Sequence, residues 1–247
     1  MIVALDHGLI FDVLPDFAPA RQIIEKVIAG GADAVMTTYG LAKKYESLLS
    51  EVGLIIRIDG GNTELTEIKG GDLLYTVEDC LKLGADGIVC MGFPGAQEEK
   101  RTLKNISQLV SRCQDWNIPL ITEMLPAGFS QEMEFNNKNI GASVRMGGEL
   151  GADVIKTAYT GDKEGFADII AGSLAPVIIL GGSKSDSPQA VLEEVAAAME
   201  AGASGVAMGR NVWKSDHPDK MTAALVDIIH HEKELEEVLN STVILNN

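Results

Sequence analysis

Hydrophobic residues in this chain fall into short unbroken runs, separated by longer stretches in which apolar positions recur every three or four residues. Unbroken runs suit strands buried on both faces, as in a parallel sheet, where no face is left for polar alternation. The longer stretches suit helices with one buried side. One device recurs four times: Gly31-Ala32-Asp33-Ala34-Val35-Met36, Gly84-Ala85-Asp86-Gly87-Ile88-Val89, Gly151-Ala152-Asp153-Val154-Ile155-Lys156 and Gly202-Ala203-Ser204-Gly205-Val206-Ala207. In each, a helix ends at a glycine suited to the left-handed cap and a strand follows within two or three residues. The copies stand 53, 67 and 51 residues apart (31 to 84, 84 to 151, 151 to 202), too far for one helix–strand step and right for two.

The intervening strands are Ile2–Leu5, Leu54–Ile58, Leu120–Thr122 and Val177–Leu180, which brings the expected number to eight. Helical patterns cover about 18–30, 38–50, 76–83, 97–114, 137–150, 163–172, 187–201 and 217–239. In 187–201, Ser187 is the cap, Pro188 takes the first turn, Val191, Leu192, Val195 and Met199 form the inner face, and Gly202 ends the helix. Eight alternating units predict an α/β fold: a single (β/α)8 TIM barrel with a parallel eight-stranded sheet, occupying residues 1–247 as one domain. A doubly wound open sheet is the runner-up, though it would not normally need eight strands. The connections Asp59–Tyr75 and Phe129–Asn139 are long and polar for this fold and read as active-site loops.

Composition narrows the partners. Hydrophobic residues make up 46% of the chain and aromatic ones 5%, so the core is mostly aliphatic. A net charge of −16 argues against nucleic acid or an anionic membrane as a partner. A bound phosphate must therefore be held by local positive features. Cys80, Cys90 and Cys113 show no Cys-x-x-Cys spacing and suggest neither a zinc site nor a disulfide framework. The N-terminus has no signal-peptide pattern, and no apolar run approaches the roughly 18 residues of a membrane span. The cytoplasm is the expected compartment. No His/Asp/Glu spacing resembles a metal triad, so no metal is expected.

In a (β/α)8 barrel, chemistry sits where the strands run out at their C-terminal ends. Strand 6 delivers Lys156 there. A buried lysine can fall several units from its ordinary pKa of about 10.4, and the neutral amine forms a Schiff base with a carbonyl. A strand-end lysine can equally snorkel to solvent. Asp6 and His7 follow strand 1, Arg57 and Asp59 follow strand 3, and Glu123 ends strand 5. Asp6 is a candidate for proton transfer. Glu123 is a second candidate or a partner for Arg57, and His7 is either structural or a substrate contact. Gly181-Gly182-Ser183 after strand 7 and Gly209-Arg210 after strand 8 suit a phosphate, by close backbone approach and a charge-assisted guanidinium contact.

Four motifs in order, Ala4-Leu5-Asp6-His7-Gly8, Ile155-Lys156-Thr157 with Tyr159-Thr160-Gly161-Asp162, Gly181-Gly182-Ser183 and Met208-Gly209-Arg210-Asn211-Val212-Trp213, resemble the archaeal-type class I aldolases. That group includes fructose-bisphosphate aldolase, aminodideoxyheptulosonate synthase and the thiolase that cleaves the phosphorylated autoinducer-2 diketone. The resemblance runs from strand 1 to the last helix. It implies Lys156 as the Schiff-base lysine, Asp6 as the catalytic aspartate, Gly181, Gly182, Gly209 and Arg210 as the phosphate site, no cofactor or metal, and a homo-oligomer, with a decamer of two pentamers as precedent. One position departs from the pattern. The aldolases show Tyr-Pro-Arg-Gly after strand 5, and here Leu125-Pro126-Ala127-Gly128 stands instead. Leu125 cannot move a proton, which leaves Glu123 and Tyr159 as candidates to replace the tyrosine. The thiolase is also resembled at Gly60-Gly61-Asn62, Lys104-Asn105-Ile106 and Ser215-Asp216-His217-Pro218. The expected function is a class I aldolase-type lyase acting on a small phosphorylated ketose or diketone, with Arg57-Ile58-Asp59 meeting a polar second end of it. Two other readings stay open: a thiolase-like acyltransferase acting on the phosphorylated autoinducer-2 diketone with an acceptor such as coenzyme A, and a non-catalytic sugar-phosphate-binding barrel.

Overall fold

The computed structural model describes residues 1–9, 17–60, 71–128, 133–182, 185, 187–231 and 233–241. Among them, eight parallel strands close a barrel: β1 (Ile2–Ala4), β2 (Ala34–Thr38), β3 (Gly53–Arg57), β4 (Gly87–Gly92), β5 (Leu120–Met124), β6 (Val154–Thr157), β7 (Val177–Leu180) and β8 (Val206–Met208). Each pairs with its neighbour in chain order, and β8 returns to β1 through Ile2↔Ala207 and Val3↔Met208. The expected eight-stranded parallel barrel is therefore the observed one. No helix among the described residues is long and apolar enough to cross a membrane.

The fourfold device explains how the barrel is stitched. Gly31, Gly84, Gly151 and Gly202 hold φ values of +89°, +78°, +96° and +99°, a left-handed turn that returns each helix to the sheet. In two copies the aspartate then fastens the neighbouring strand. Asp86 accepts the Leu54 N–H and Asp153 that of Leu120, both at 2.8 Å. The start of the odd-numbered strand is thereby tied to the even-numbered one.

Side chains alternate between the two faces of each strand. Ala4, Met36, Ile55, Val89, Ile121, Ile178 and Ala207 point inward and fill the lumen. Their neighbours Val3, Val35, Ile56, Ile88, Leu120, Ile179 and Val206 pack outward against the helices. Counting two residues onward from the lumen-filling positions gives Asp6, Arg57, Met91 and Glu123, and from Val154 gives Lys156. The charged groups thus form the layer directly above an apolar plug.

Several helices differ from expectation in detail. The 38–50 pattern is two short helices, Tyr39–Lys44 and Glu46–Leu49, meeting at Tyr45. The 217–239 pattern is also two, Pro218–His230 and Leu235–Ser241. The first of these closes because the Lys233 N–H turns back to the Asp227 carbonyl at 3.3 Å, six residues earlier, without a glycine to signal it. The helix Pro188–Glu200 follows its reading closely, with Ser187 Oγ accepting the Ala190 N–H at 3.2 Å and Pro188 in the first turn. The long connection after β3 opens and closes with a two-residue antiparallel ladder, Asp59–Gly60 against Asp72–Leu73.

Candidate active site

Lys156 and Glu123 are register partners on β6 and β5, so alternation points both into the lumen at one height. Lys156 is 4% exposed, and its Nζ lies 2.9 Å from Glu123 Oε1 and 3.9 Å from the Met36 sulfur. The other Glu123 oxygen accepts from Arg57 Nη2. Arg57 is 1% exposed and divides its remaining donors, Nε to Asp6 and Nη1 to Asp59 at 3.1 Å. Asp59 Oδ2 in turn accepts the Met91 N–H at 2.8 Å. Three carboxyl groups and two cations thus share one dehydrated layer.

The electrostatics follow from that packing. Burial alone would raise Asp6, but the charges of Arg57 and Lys156 hold it well below the usual carboxylate range. Burial likewise opposes ionisation of Glu123, and Lys156 and Arg57 outweigh it, so Glu123 is also lowered. Asp59 goes the other way, because burial exceeds the help from Arg57. Arg57 resists its own desolvation because Asp6, Glu123 and Asp59 surround it, and it remains a fixed cation. Burial pushes His7 down to about 4 against the pull of Asp6, leaving a neutral imidazole at neutral pH.

His7 joins the charged layer to the glycine loops. It stands 3.7 Å from Asp6 and edge-on to Trp213, with ring centroids 5.6 Å apart. It also feels the charges of both Lys156 and Arg210. A Cβ at position 209 would lie 2.1 Å from His7 Cε1 and 2.7 Å from the Ala4 carbonyl, so only glycine fits there. Arg210 Nη2 donates to the Gly182 carbonyl at 3.0 Å, and Asn211 Nδ2 donates to that of Gly181 at 2.5 Å. The loops after β7 and β8 are laced together in this way. Gly182 has φ +57°, and a side chain there would meet open space. Ser183, the remaining residue of the expected phosphate motif, lies outside the described residues.

One expected site residue stands elsewhere. Tyr159 packs edge-on against Phe166, with centroids 5.1 Å apart, in the shell between barrel and helices rather than in the charged layer. Arg57 lies beneath the mouth and is fully engaged by carboxylates, so the polar second end expected from Arg57-Ile58-Asp59 is absorbed internally. Asp59 was legible as a strand-end residue, but as part of a polar contact to substrate and not as a partner of Arg57. Its signal is the inward parity it shares with Arg57. Asn211 stood in the strand 8 motif without an assigned role, and Met36 carried no signal that distinguished it from core residues. One pleat above Glu123, Leu125 continues the β5 ladder, its N–H bonding the Gly92 carbonyl at 3.0 Å. Leu125 packs with Met91 and Phe93, flanked by Ala96 and Leu180.

Residues 1–215 match the family model described as DeoC/LacD family aldolase. An aldolase of Saccharolobus solfataricus, described as uncharacterized, is 32% identical, the match covering 97% of this chain and 92% of its own. The 2-amino-3,7-dideoxy-D-threo-hept-6-ulosonate synthase of Halobacterium salinarum is 30% identical over 97% of this chain and 89% of its own. Among solved structures, an archaeal fructose-1,6-bisphosphate aldolase with its catalytic lysine covalently bound to the carbinolamine intermediate of the substrate superposes with a TM-score of 0.84. It is 29% identical, with 92% of each chain covered. With its barrel complete and the family model spanning most of its length, this chain belongs to the DeoC/LacD family of aldolases.

Proposed function

We propose that this protein makes or breaks a carbon–carbon bond in a small phosphorylated ketose or diketone, with Lys156 as the Schiff-base amine. The enzyme is a class I aldolase. The observation that carries the assignment of roles is the buried Lys156–Glu123 pair, 2.9 Å apart inside the barrel mouth. The covalent lysine intermediate in the related archaeal aldolase supports it.

Glu123 takes a proton from the Lys156 ammonium, and the amine attacks the substrate carbonyl to give a carbinolamine. Loss of water yields an iminium, which accepts the electron pair released when the adjacent C–C bond breaks. Glu123, returned to its carboxylate as water leaves, takes the hydroxyl proton from the carbon on the far side of the breaking bond and passes it to the enamine carbon, with Asp6, fixed by the same Arg57, assisting the transfer. Water then hydrolyses the remaining iminium and frees Lys156. The Gly181-Gly182 and Gly209-Arg210 loops hold the phosphate, with Arg210 supplying charge. Positioning of this kind accounts for a large part of the rate, because a bound carbonyl held near the amine reacts as one molecule. His7, neutral and wedged against Gly209, contacts substrate between the two sites. The chain works as one barrel domain in the cytoplasm and as a homo-oligomer. Its three cysteines, free and buried, support a reducing compartment.

Borohydride reduction in the presence of dihydroxyacetone phosphate, fructose 1-phosphate or fructose 1,6-bisphosphate tests the assignment, since all three present the same phosphorylated ketone end to the lysine. Intact-mass measurement is expected to show the reduced adduct, with peptide mapping locating it on Lys156, and Lys156→Ala is expected to lose both adduct and turnover. Failure of all three to label the wild-type protein, or labelling of Lys156→Ala, overturns the role given to Lys156.

A further inference from the structure

We propose that the half of the substrate farther from the phosphate is an alkyl-tailed aldehyde without a phosphate of its own, received by an apolar subsite formed by Leu125, Phe93 and Met91. The inference rests on the roles given above to Lys156 and to the loops after β7 and β8.

The order of strands around the mouth sets the direction of the substrate. Phosphate loops follow β7 and β8, the amine stands on β6, and its partner Glu123 stands on β5. A ligand anchored at β7–β8 with its carbonyl at Lys156 must send its remaining carbons over β5 and β4. Met91 is the register partner of Glu123 and faces the same height. Phe93 and Leu125 lie two residues further on, about 7 Å up the strands. That distance corresponds to the few carbons beyond the bond being made or broken. These three side chains pack on one another, with Ala96 and Leu180 at their flanks, and offer no hydrogen-bond donor.

Electrostatics point the same way. In the layer below, carboxyl groups outnumber cations three to two, and all the contacts of Arg57 are taken by Asp6, Asp59 and Glu123. Among the described inward positions of β3 to β5, no other cation is available to a second phosphate. A polyhydroxylated tail fares little better, because each hydroxyl facing Leu125 and Phe93 gives up water without a replacement partner.

In the forward direction the balance is simple. The iminium of the donor loses its α-proton to Glu123 and becomes an enamine, whose carbon bonds to the aldehyde carbon. The aldehyde oxygen takes the proton back from Glu123, and water then hydrolyses the new iminium to free Lys156. Nothing in the step requires the aldehyde to carry a polar tail.

The test is aldol addition by the purified full-length protein, using dihydroxyacetone phosphate as donor and butanal, D-glyceraldehyde or D-glyceraldehyde 3-phosphate as acceptor. A single methylene in an apolar pocket discriminates by about 10- to 200-fold, so kcat/KM for butanal is expected to exceed both others by at least about tenfold. Leu125→Ser is expected to shrink that ratio to within about threefold, and the volume-conserving Leu125→Met to keep it. Equal or better use of glyceraldehyde 3-phosphate by the wild-type protein overturns the proposal, as does an unchanged ratio in soluble Leu125→Ser. Borohydride labelling without addition to any of the three aldehydes also defeats it while leaving the role of Lys156 standing. Absence of labelling removes that role instead, and with it the basis of this subsite.

Discussion

Arg57 is hydrogen-bonded at once to Asp6, Asp59 and Glu123 in a layer from which water is excluded. Like-charged carboxylates so close together are tolerable only around a fixed cation, and a guanidinium with its rigid fork of donors serves three of them where an ammonium would not. Removing one partner of a buried ionic network leaves the others uncompensated, which costs about 3–5 kcal/mol. Arg57→Met, similar in bulk and unable to carry charge, is therefore expected to lower unfolding free energy by that amount at pH 7. The deficit should itself depend on pH. Asp6 and Glu123 have folded-state pKa values below their ordinary ones, so their contribution is present above the ordinary carboxylate range and is lost as pH falls through the lowered values. Without Arg57, the orphaned carboxylates instead recover stability by taking up protons. The gap between wild type and variant is expected to narrow from pH 7 towards pH 4 in urea titrations. A gap that widens over this range would mean that Arg57 does not hold these groups ionised.

At the scale of elements, the recurring helix-to-strand corner can be separated from the packing around it. Gly84 has φ +78°, and a Cβ there would have open space around it, so Gly84→Ala tests conformation alone. The left-handed region costs an L-residue roughly 1–2 kcal/mol, and Gly84→Ala is expected to be destabilised by about that much without loss of activity. A neutral result in thermal unfolding would show that this corner relaxes easily. The same corners explain what could be read from the chain. Glycine and aspartate at fixed offsets specify a local geometry, and an unbroken apolar run specifies a two-sided burial, so strand number and order followed without tertiary knowledge. The inward placement of Lys156, Asp6 and Glu123 was legible for the same reason, since alternation along a strand makes the strand-end residue point at the mouth. Tyr159 falls outside the charged layer because it follows the end of β6, where strand alternation no longer sets the side chain, and it finds Phe166. Arg57 stands where alternation from Ile55 puts it, and what the sequence did not signal is that Asp6 and Asp59, as well as Glu123, take up its donors. The break after His230 was invisible because a backbone hydrogen bond to Asp227, rather than a glycine, ends that helix.

The molecule as a whole carries 36 acidic against 20 basic residues, a net charge of −16, and yet is assigned an anionic substrate. Two fields therefore compete for an approaching phosphate. One is the repulsion of the entire surface, which extends about 30 Å at 10 mM ionic strength and only about 8 Å at 150 mM. The other is the attraction of Arg210 beside the glycine loops, which acts within a few ångströms and is largely beyond the reach of screening once the phosphate is seated. Raising sodium chloride from 10 to 150 mM removes most of the first field and little of the second. Association with the phosphorylated substrate should then become easier, and kcat/KM is expected to rise about two- to fivefold while kcat stays nearly constant. Chloride is the right probe, because sulfate or phosphate would occupy the loops themselves. An enzyme whose mouth steers its substrate electrostatically would show the opposite slope. A fall in kcat/KM over this range would mean that positive potential reaches well beyond Arg210 and that the overall acidity does not govern substrate approach.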